Sequence, residues 1–190
     1  RSLAAEGRAL AEEVGRPPVL ALALYARRIA LFGPDGLDER LAIGRQVRAE
    51  PVGGELETVA TVLDFVDLVE AARIDDAVEA IQRLRQVVAP YDRPVLEAYV
   101  HFVDACLHLA RGEVDKAGAL SDQAVTMGAA QGNNAVQAWA AQQFVAARER
   151  GEVGDLIDEV QGIVEQFPDM PVWRAALAVC LVARGDEAAA

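Results

Sequence analysis

Four polar side chains on one predicted helix are the best candidates in this chain for chemistry. They lie in an apolar run that begins at Pro94, at spacings of four, three and four residues: Glu97, His101, Asp104 and His108. Residues three or four apart share one face of a helix, so the four side chains form a polar stripe. Imidazole and carboxylate groups bind divalent metals and transfer protons. The two histidines are about 10 Å apart along the axis, however, and one ion does not bridge that distance without Asp104.

Three interpretations of this stripe are open. It could be a metal or proton-transfer site, the lining of a groove that holds a peptide or effector, or simply the solvent-exposed side of a buried helix. The solvent-exposed side is the simplest of the three, and the groove is the favoured functional one. The chain has no GxxxxGK[ST], GxGxxG, GxSxG, HExxH or paired-cysteine motif. We therefore assign no catalytic residue, metal or cofactor and expect no enzymatic activity.

Neighbouring predicted helices carry similar stripes. One is acidic, with Asp64 and Asp67, one is basic, and one is rich in glutamine. If these helices line an inner curve, the stripes form one groove that is acidic in its middle and suits a cationic or amide-rich partner. Aromatic residues on these helices are either interface anchors or core residues. The candidate groove residues are Glu97, His101, Asp104, His108, Asp64, Asp67, Trp139, Gln142, Arg27 and Arg28.

The helices that carry these stripes follow an internal repeat. Pro18-Val19, Pro94-Val95 and Pro171-Val172 each open an apolar run, at intervals of 76 and 77 residues. Leu56 and Asn133 open further runs about halfway between them, so the underlying period is about 38 residues. A second marker, a turn followed by a new helix start, closes successive runs at 72–77, 111–117, 150–156 and 184–188.

Proline in a first helical turn and glycine just past a helix end place the helix boundaries. We expect ten helices, at residues 2–14, 18–32, 37–49, 55–72, 74–89, 94–111, 113–129, 134–150, 153–166 and 171–184. We call those that follow the proline, Leu56 and Asn133 markers the first helices, and their partners the second helices. The predicted fold is all-α: antiparallel hairpins stacked as a tetratricopeptide-like right-handed solenoid, in a single domain over residues 1–190. The amphipathic second helices should form its solvated outer layer.

Composition narrows the class of partner. The formal net charge is −12, which disfavours direct contact with nucleic acid or an anionic membrane. The two cysteines, Cys106 and Cys180, lie in apolar runs without CxxC spacing, so we expect buried free thiols and a cytoplasmic location. No apolar run reaches the roughly 18–20 residues of a membrane span.

Three stretches resemble known helical repeat proteins. Arg111 to Ala117 (RGEVDKA) looks like the helix-turn-helix signature of tetratricopeptide-type repeats, although the period is longer and the usual aromatic pattern is absent. Tyr25 to Gly44 (YARRIALFGPDGLDERLAIG) and Phe167 to Ala176 (FPDMPVWRAALA) resemble the C-terminal helical repeat region of large actinobacterial ATP-binding regulators. Such proteins join an ATPase module to these repeats and carry a LuxR-type DNA-binding domain or a nucleotide cyclase domain elsewhere. In MalT-like regulators the repeats are thought to receive a signal.

The resemblance implies a non-catalytic protein- or effector-binding regulatory module of a larger ATP-binding transcriptional regulator. Its partners would be the other domains of that protein and a protein, peptide or small effector in the concave groove. The alternative is a stand-alone tetratricopeptide-like scaffold for protein–protein interaction. The chain starts inside a helical pattern at Arg1 without an initiator methionine, and its last marker predicts a further helix after Gly185. We therefore expect a fragment of a longer chain, whose exposed ends allow self-association.

Overall fold

The computed structural model describes residues 2–49, 52–128 and 133–186. Over these ranges the chain is all-helical and contains no strand. Two short 3₁₀ helices, Pro34–Gly36 and Val153–Leu156, accompany the α-helices. The ten α-helices of the described ranges are α1 (Ser2–Val14), α2 (Pro17–Ala30), α3 (Leu37–Ala49), α4 (Gly54–Glu70), α5 (Ile74–Val88), α6 (Pro94–Ala110), α7 (Val114–Met127), α8 (Asn133–Arg150), α9 (Ile157–Gln166) and α10 (Pro171–Arg184).

The all-α class and the helix positions predicted from the sequence are confirmed. Prolines lie in the first turn of α2, α6 and α10, where a missing N–H removes no helical hydrogen bond. The predicted helix at 153–166 differs in one respect, because its first four residues form a 3₁₀ helix before α9 begins. Such tight turns are frequent at helix N-termini. The helix predicted after Gly185 lies outside the described residues.

Four helices end in the same hydrogen-bonded turn, at the positions of the repeat marker. In each, a residue with positive φ follows the helix: 56° at Ala72, 73° at Gly112, 77° at Gly151 and 85° at Gly185. The next amide then donates to a carbonyl five residues earlier, which is the Schellman arrangement. These bonds run from Arg73 to Leu68, Glu113 to His108, Glu152 to Ala147 and Asp186 to Leu181, at 2.8, 2.9, 2.8 and 2.9 Å.

The chain divides into two compact units, Arg1–Val103 and Asp104–Ala190, with the division inside α6. In the first unit, α2 packs on α1 and α3, α4 packs on α3 and α5, and α2 also touches α4. Leu24, Leu31 and Ile43 form a buried cluster between α2 and α3. The amphipathic α5 buries Ile81 and Leu84 and leaves its polar side exposed, as predicted for a second helix.

In the second unit, α7 packs on α8, and α9 packs on α10. The 3₁₀ helix Val153–Leu156 contacts α8, α9 and α10. The second unit contains a buried apolar cluster that consists of Val153, Ile157, Val160 and Cys180. Trp173, at the start of α10, is also buried, so it is a core residue of this unit.

Candidate functional site

The polar stripe of α6 lies on a partly buried side of that helix. Glu97 is exposed, whereas His101, Asp104 and His108 are half-buried. Within the described residues, no group of three His, Cys, Asp or Glu side chains is arranged to hold a metal ion. The stripe is therefore not a fully solvated face.

His108 is engaged at the turn between α6 and α7. Its Nδ1 lies 2.7 Å from Oε2 of Glu113, which also accepts a hydrogen bond from Nζ of Lys116 at 2.9 Å. The hydrogen bonds from Lys116 and His108 lower the pKa of the Glu113 carboxyl. This cluster connects the end of one helix to the start of the next.

Asp67 lies at the centre of a buried ion network that joins three helices. Its carboxylate accepts two hydrogen bonds from Arg28 of α2, at 2.8 and 2.7 Å, and one from Arg40 of α3 at 2.6 Å. Arg28 also donates to the carbonyl of Leu63, and Arg40 donates to Glu70. The side chains of Arg28, Arg40 and Asp67 are 4%, 0% and 1% exposed. Because a buried charge is tolerated only when it is paired, the network fixes α2 and α3 against α4.

The chemistry of this network is structural. Burial raises the pKa of the Asp67 carboxyl, and the hydrogen bond and charge of Arg28 oppose that rise, followed by the charge of Arg40. Two guanidinium groups donating to one carboxylate favour its ionised form. Both oxygens are engaged inside the protein, so Asp67 is not placed to accept a proton from a substrate.

Asp64 is buried one turn earlier on α4. Its Oδ2 accepts hydrogen bonds from Arg48 of α3 and, at 3.5 Å, from Arg83 of α5. Its Oδ1 lies against the Cα of Gly44, where a β-carbon would collide with it. Glycine at position 44 is therefore what allows α3 to approach this carboxylate.

Arg27 and Arg28 have different environments although they are adjacent. Arg27 is half-buried, with its side chain 19% exposed, and it pairs at 2.7 Å with Glu39 of α3, which is exposed at the surface. Arg28 points inward to Asp67. The two residues therefore do not form a joint basic patch.

The structure thus differs from the groove expected from the sequence. Asp64, Asp67 and Arg28 lie between helices instead of lining an open surface. The physical reason is that arginines of neighbouring helices neutralise these carboxylates, which removes the need for solvent exposure. A stripe of carboxylates on an otherwise apolar helix indicates the solvent-facing side only when no such partner is available.

Trp139 and Gln142, on α8, are both hydrogen-bonded. Nε1 of the half-buried Trp139 donates to Oδ1 of Asp122 at 2.8 Å. Gln142 is nearly buried, and its Nε2 donates to Sγ of Cys106 at 3.1 Å. Burial raises the pKa of the Cys106 thiol, and the hydrogen bond from Gln142 opposes that rise. Trp139 joins α8 to α7, whereas Gln142 joins α8 to α6.

An open hollow of about 590 Å³ lies between α6 and α8, in the second unit. Of the predicted groove residues, Gln142 lines it. Leu109, Ala141 and Val145 contribute apolar walls, and the charged side chains of Arg148 and Glu149 also line the hollow. Cys106 lies there as well and accepts the hydrogen bond from Gln142. We call it the α6–α8 hollow. It can take apolar groups, and the raised pKa of Cys106 keeps its thiol protonated at neutral pH.

In the first unit, the open side of the first helices is apolar, which the sequence did not indicate. Leu22, Ile29 and Val66 are 58%, 46% and 36% exposed. Tyr25 on α2 and Val62 on α4 are half-buried beside them in the helical pattern. We name these five residues the first-helix patch.

The arginine network shows that the two parts of the patch face the same way. Arg28 marks the side of α2 that meets α4, and Asp67 marks the side of α4 that meets α2. At roughly 100° per residue, the α2 residues of the patch lie about 60–120° around the helix from Arg28. The α4 residues of the patch, Val62 and Val66, lie about 100–140° around that helix from Asp67, in the opposite direction of rotation. Since α3 contacts both helices and returns the chain, α2 and α4 run the same way, and the two sets share one face.

Tyr99 of α6 lies close to this face. Burial raises the pKa of the Tyr99 phenol, and the charges of Glu55 and Tyr25 raise it further. Glu55, in the first turn of α4, is exposed on the same side of α4 as Val62 and Val66. The patch therefore has a carboxylate and a second tyrosine beside it.

No family model, no curated protein and no solved structure matches the chain. Among the described helices, none combines the length and apolar character needed to cross a membrane.

Proposed function

We propose that this chain is a non-catalytic binding module, with helical hairpins stacked as a right-handed tetratricopeptide-like solenoid. The repeated Schellman turns at Ala72, Gly112, Gly151 and Gly185 support repeating hairpins. In the first unit, the contact of α2 with α4 across the α3 return supports stacking of one first helix on the next. Repeats of this kind commonly present a binding surface along their first helices.

The first-helix patch is the observation that carries this proposal. Large apolar side chains that share one exposed face indicate a surface for a protein partner, particularly beside tyrosines. The ion network beneath the patch holds α2 and α4 at fixed spacing, so the surface is preorganised and loses little conformational entropy on binding. The α6–α8 hollow offers a similar apolar surface in the second unit.

The biological setting is a second part of the proposal. On the resemblance given above, the module belongs to a cytoplasmic ATP-binding transcriptional regulator and passes a binding event to the ATPase module. Such a signal requires a ligand that binds two conformations with different affinity. The test is whether the same gene encodes a phosphate-loop ATPase. A complete gene without one would favour the stand-alone scaffold.

The binding role itself is tested with a displayed library of helical peptides of all charge types, selected on the protein. The double variant Leu22→Gln/Ile29→Gln removes two apolar side chains from the patch without adding charge. Val172→Gln/Val179→Gln is a matched control, since these α10 side chains are 59% and 44% exposed. We expect the selected peptides to lose binding to the patch variant and to keep binding to the control. Peptides that bind both variants equally well would contradict the proposal.

A further inference from the structure

The charges around the first-helix patch specify what kind of partner fits it. The patch lies along α4, and α4 contains no basic residue. Its exposed side carries Glu55 near the N-terminus and Glu70 at the C-terminus, and these are separated by 15 positions, or roughly 22 Å along the axis. The apolar side chains of the patch lie between these two carboxylates.

The arginines of α2 and α3 near the patch are engaged in ion pairs, and one of these pairs includes Glu70. Arg28 is buried against Asp67, and Arg27 pairs with Glu39 at the α3 side. Arg40 reaches Glu70 from within the protein, where its guanidinium is covered by the ring of Phe32 at 5.4 Å. Glu70 nevertheless remains 39% exposed. The surface offered to a partner is therefore apolar in its centre, with the carboxylate of Glu55 at one end and Glu70, whose charge Arg40 offsets, at the other.

We propose that the first-helix patch binds an amphipathic helix with an apolar face and basic residues near the end that meets Glu55. This inference rests on the proposed binding function and adds the charge and shape of the partner. The partner helix would place apolar side chains at i, i+3 or i+4, and i+7 against Leu22, Ile29 and Val66. Its lysines or arginines would meet Glu55. Opposite charges across an interface raise the association rate and reject partners of the same charge.

The test uses three synthetic peptides of about 18 residues, which is about five helical turns. The first has a leucine face with lysines near one end, the second replaces each lysine by glutamate, and the third scrambles the first to destroy its amphipathic face. Binding to the intact protein is measured by fluorescence anisotropy. We expect the leucine–lysine peptide to bind at least roughly tenfold more tightly than either of the others.

Matched variants locate the binding. Leu22→Gln/Ile29→Gln should weaken the leucine–lysine peptide at least roughly tenfold, whereas Val172→Gln/Val179→Gln should leave it unchanged. Glu55→Gln should weaken it severalfold and make its affinity less dependent on salt. Glu79→Gln on α5, which is also exposed, is the control for a change in net charge. Thermal unfolding followed by circular dichroism confirms that each variant is folded.

The outcomes separate the two claims. If the leucine–glutamate peptide binds equally well and depends on the patch, the charge inference is overturned and the binding function stands. If the scrambled peptide binds as tightly as the amphipathic one, attraction to the acidic surface alone explains the binding and the inference is again overturned. If no peptide depends on Leu22 and Ile29, the inference and the proposed function both fail.

Discussion

Arg28 of α2 and Asp67 of α4 form two hydrogen bonds, of 2.8 and 2.7 Å, and both side chains are buried. The adjacent Arg27 makes an ion pair with Glu39 at the surface. The two arginines have the same chemistry and neighbouring positions, and they differ in burial and partner. Arg27 and Arg28 therefore allow a direct comparison of a surface ion pair and a buried ion pair that both involve α2.

The first prediction concerns this comparison. Arg28→Ala leaves Asp67 buried with only Arg40, and we expect a loss of about 3 kcal/mol in the free energy of unfolding. Arg27→Ala should cost less than about 1 kcal/mol, because its partner remains solvated. Urea denaturation followed by circular dichroism measures both. Equal losses in the two variants would show that the network does not hold α2 against α4.

The second prediction concerns Gly44, whose Cα lies against Asp64. In Gly44→Ala, the new methyl group meets a carboxylate that Arg48 and Arg83 hold in place, so the helices must separate or the ion pairs must shift. We expect a loss of about 1–3 kcal/mol in unfolding free energy.

The control for Gly44→Ala is Gly162→Ala in α9, where a β-carbon meets nothing within 4 Å. Alanine is the better helix former, so this variant should gain about 0.5–1 kcal/mol. Opposite signs at the two positions are required. A neutral or stabilising Gly44→Ala would mean that Asp64 is not confined as described.

The third prediction follows from the repeat of the Schellman turn. Three of these turns have glycine at the residue with positive φ, whereas the fourth has Ala72, at φ 56°. Left-handed backbone costs a residue with a β-carbon about 1–2 kcal/mol. Ala72→Gly should therefore raise the unfolding free energy by roughly 0.5–1 kcal/mol, after the added flexibility of the unfolded chain is subtracted. Gly112→Ala should lower it, and thermal denaturation of both variants gives the two signs.

These features show what the sequence could and could not establish. The helix boundaries were predictable because proline and glycine act locally, within a turn of each end. The ion pairs of Asp67 were not predictable from the sequence, because Arg40 and Arg28 lie 27 and 39 residues away. Only the packing of the helices brings these residues together. The first-helix patch was not predictable from the sequence for a different reason. A helix that is apolar nearly all round gives no periodic signal for which side remains open.

The fourth prediction concerns the two thiols. Burial raises the pKa of both Cys106 and Cys180, so at pH 8 both are mainly in the unreactive thiol form. We expect them to react with Ellman's reagent at least roughly tenfold more slowly in the native protein than in denaturant. Val182→Cys, at a position 53% exposed, provides a fast-reacting control in the native state. Rapid native reaction of Cys106 would indicate that the α6–α8 hollow activates its thiol.

The central claim is that the first-helix patch is the binding surface, and methyl NMR tests it most directly. With the leucine–lysine peptide added to the intact protein, we expect shifts at the methyl groups of Leu22, Ile29, Val62 and Val66. The methyl groups of Val172, Val179 and Val182, which are exposed on α10, should not move. A saturable peptide complex that shifts the α10 methyl groups and leaves the patch unchanged would contradict the account.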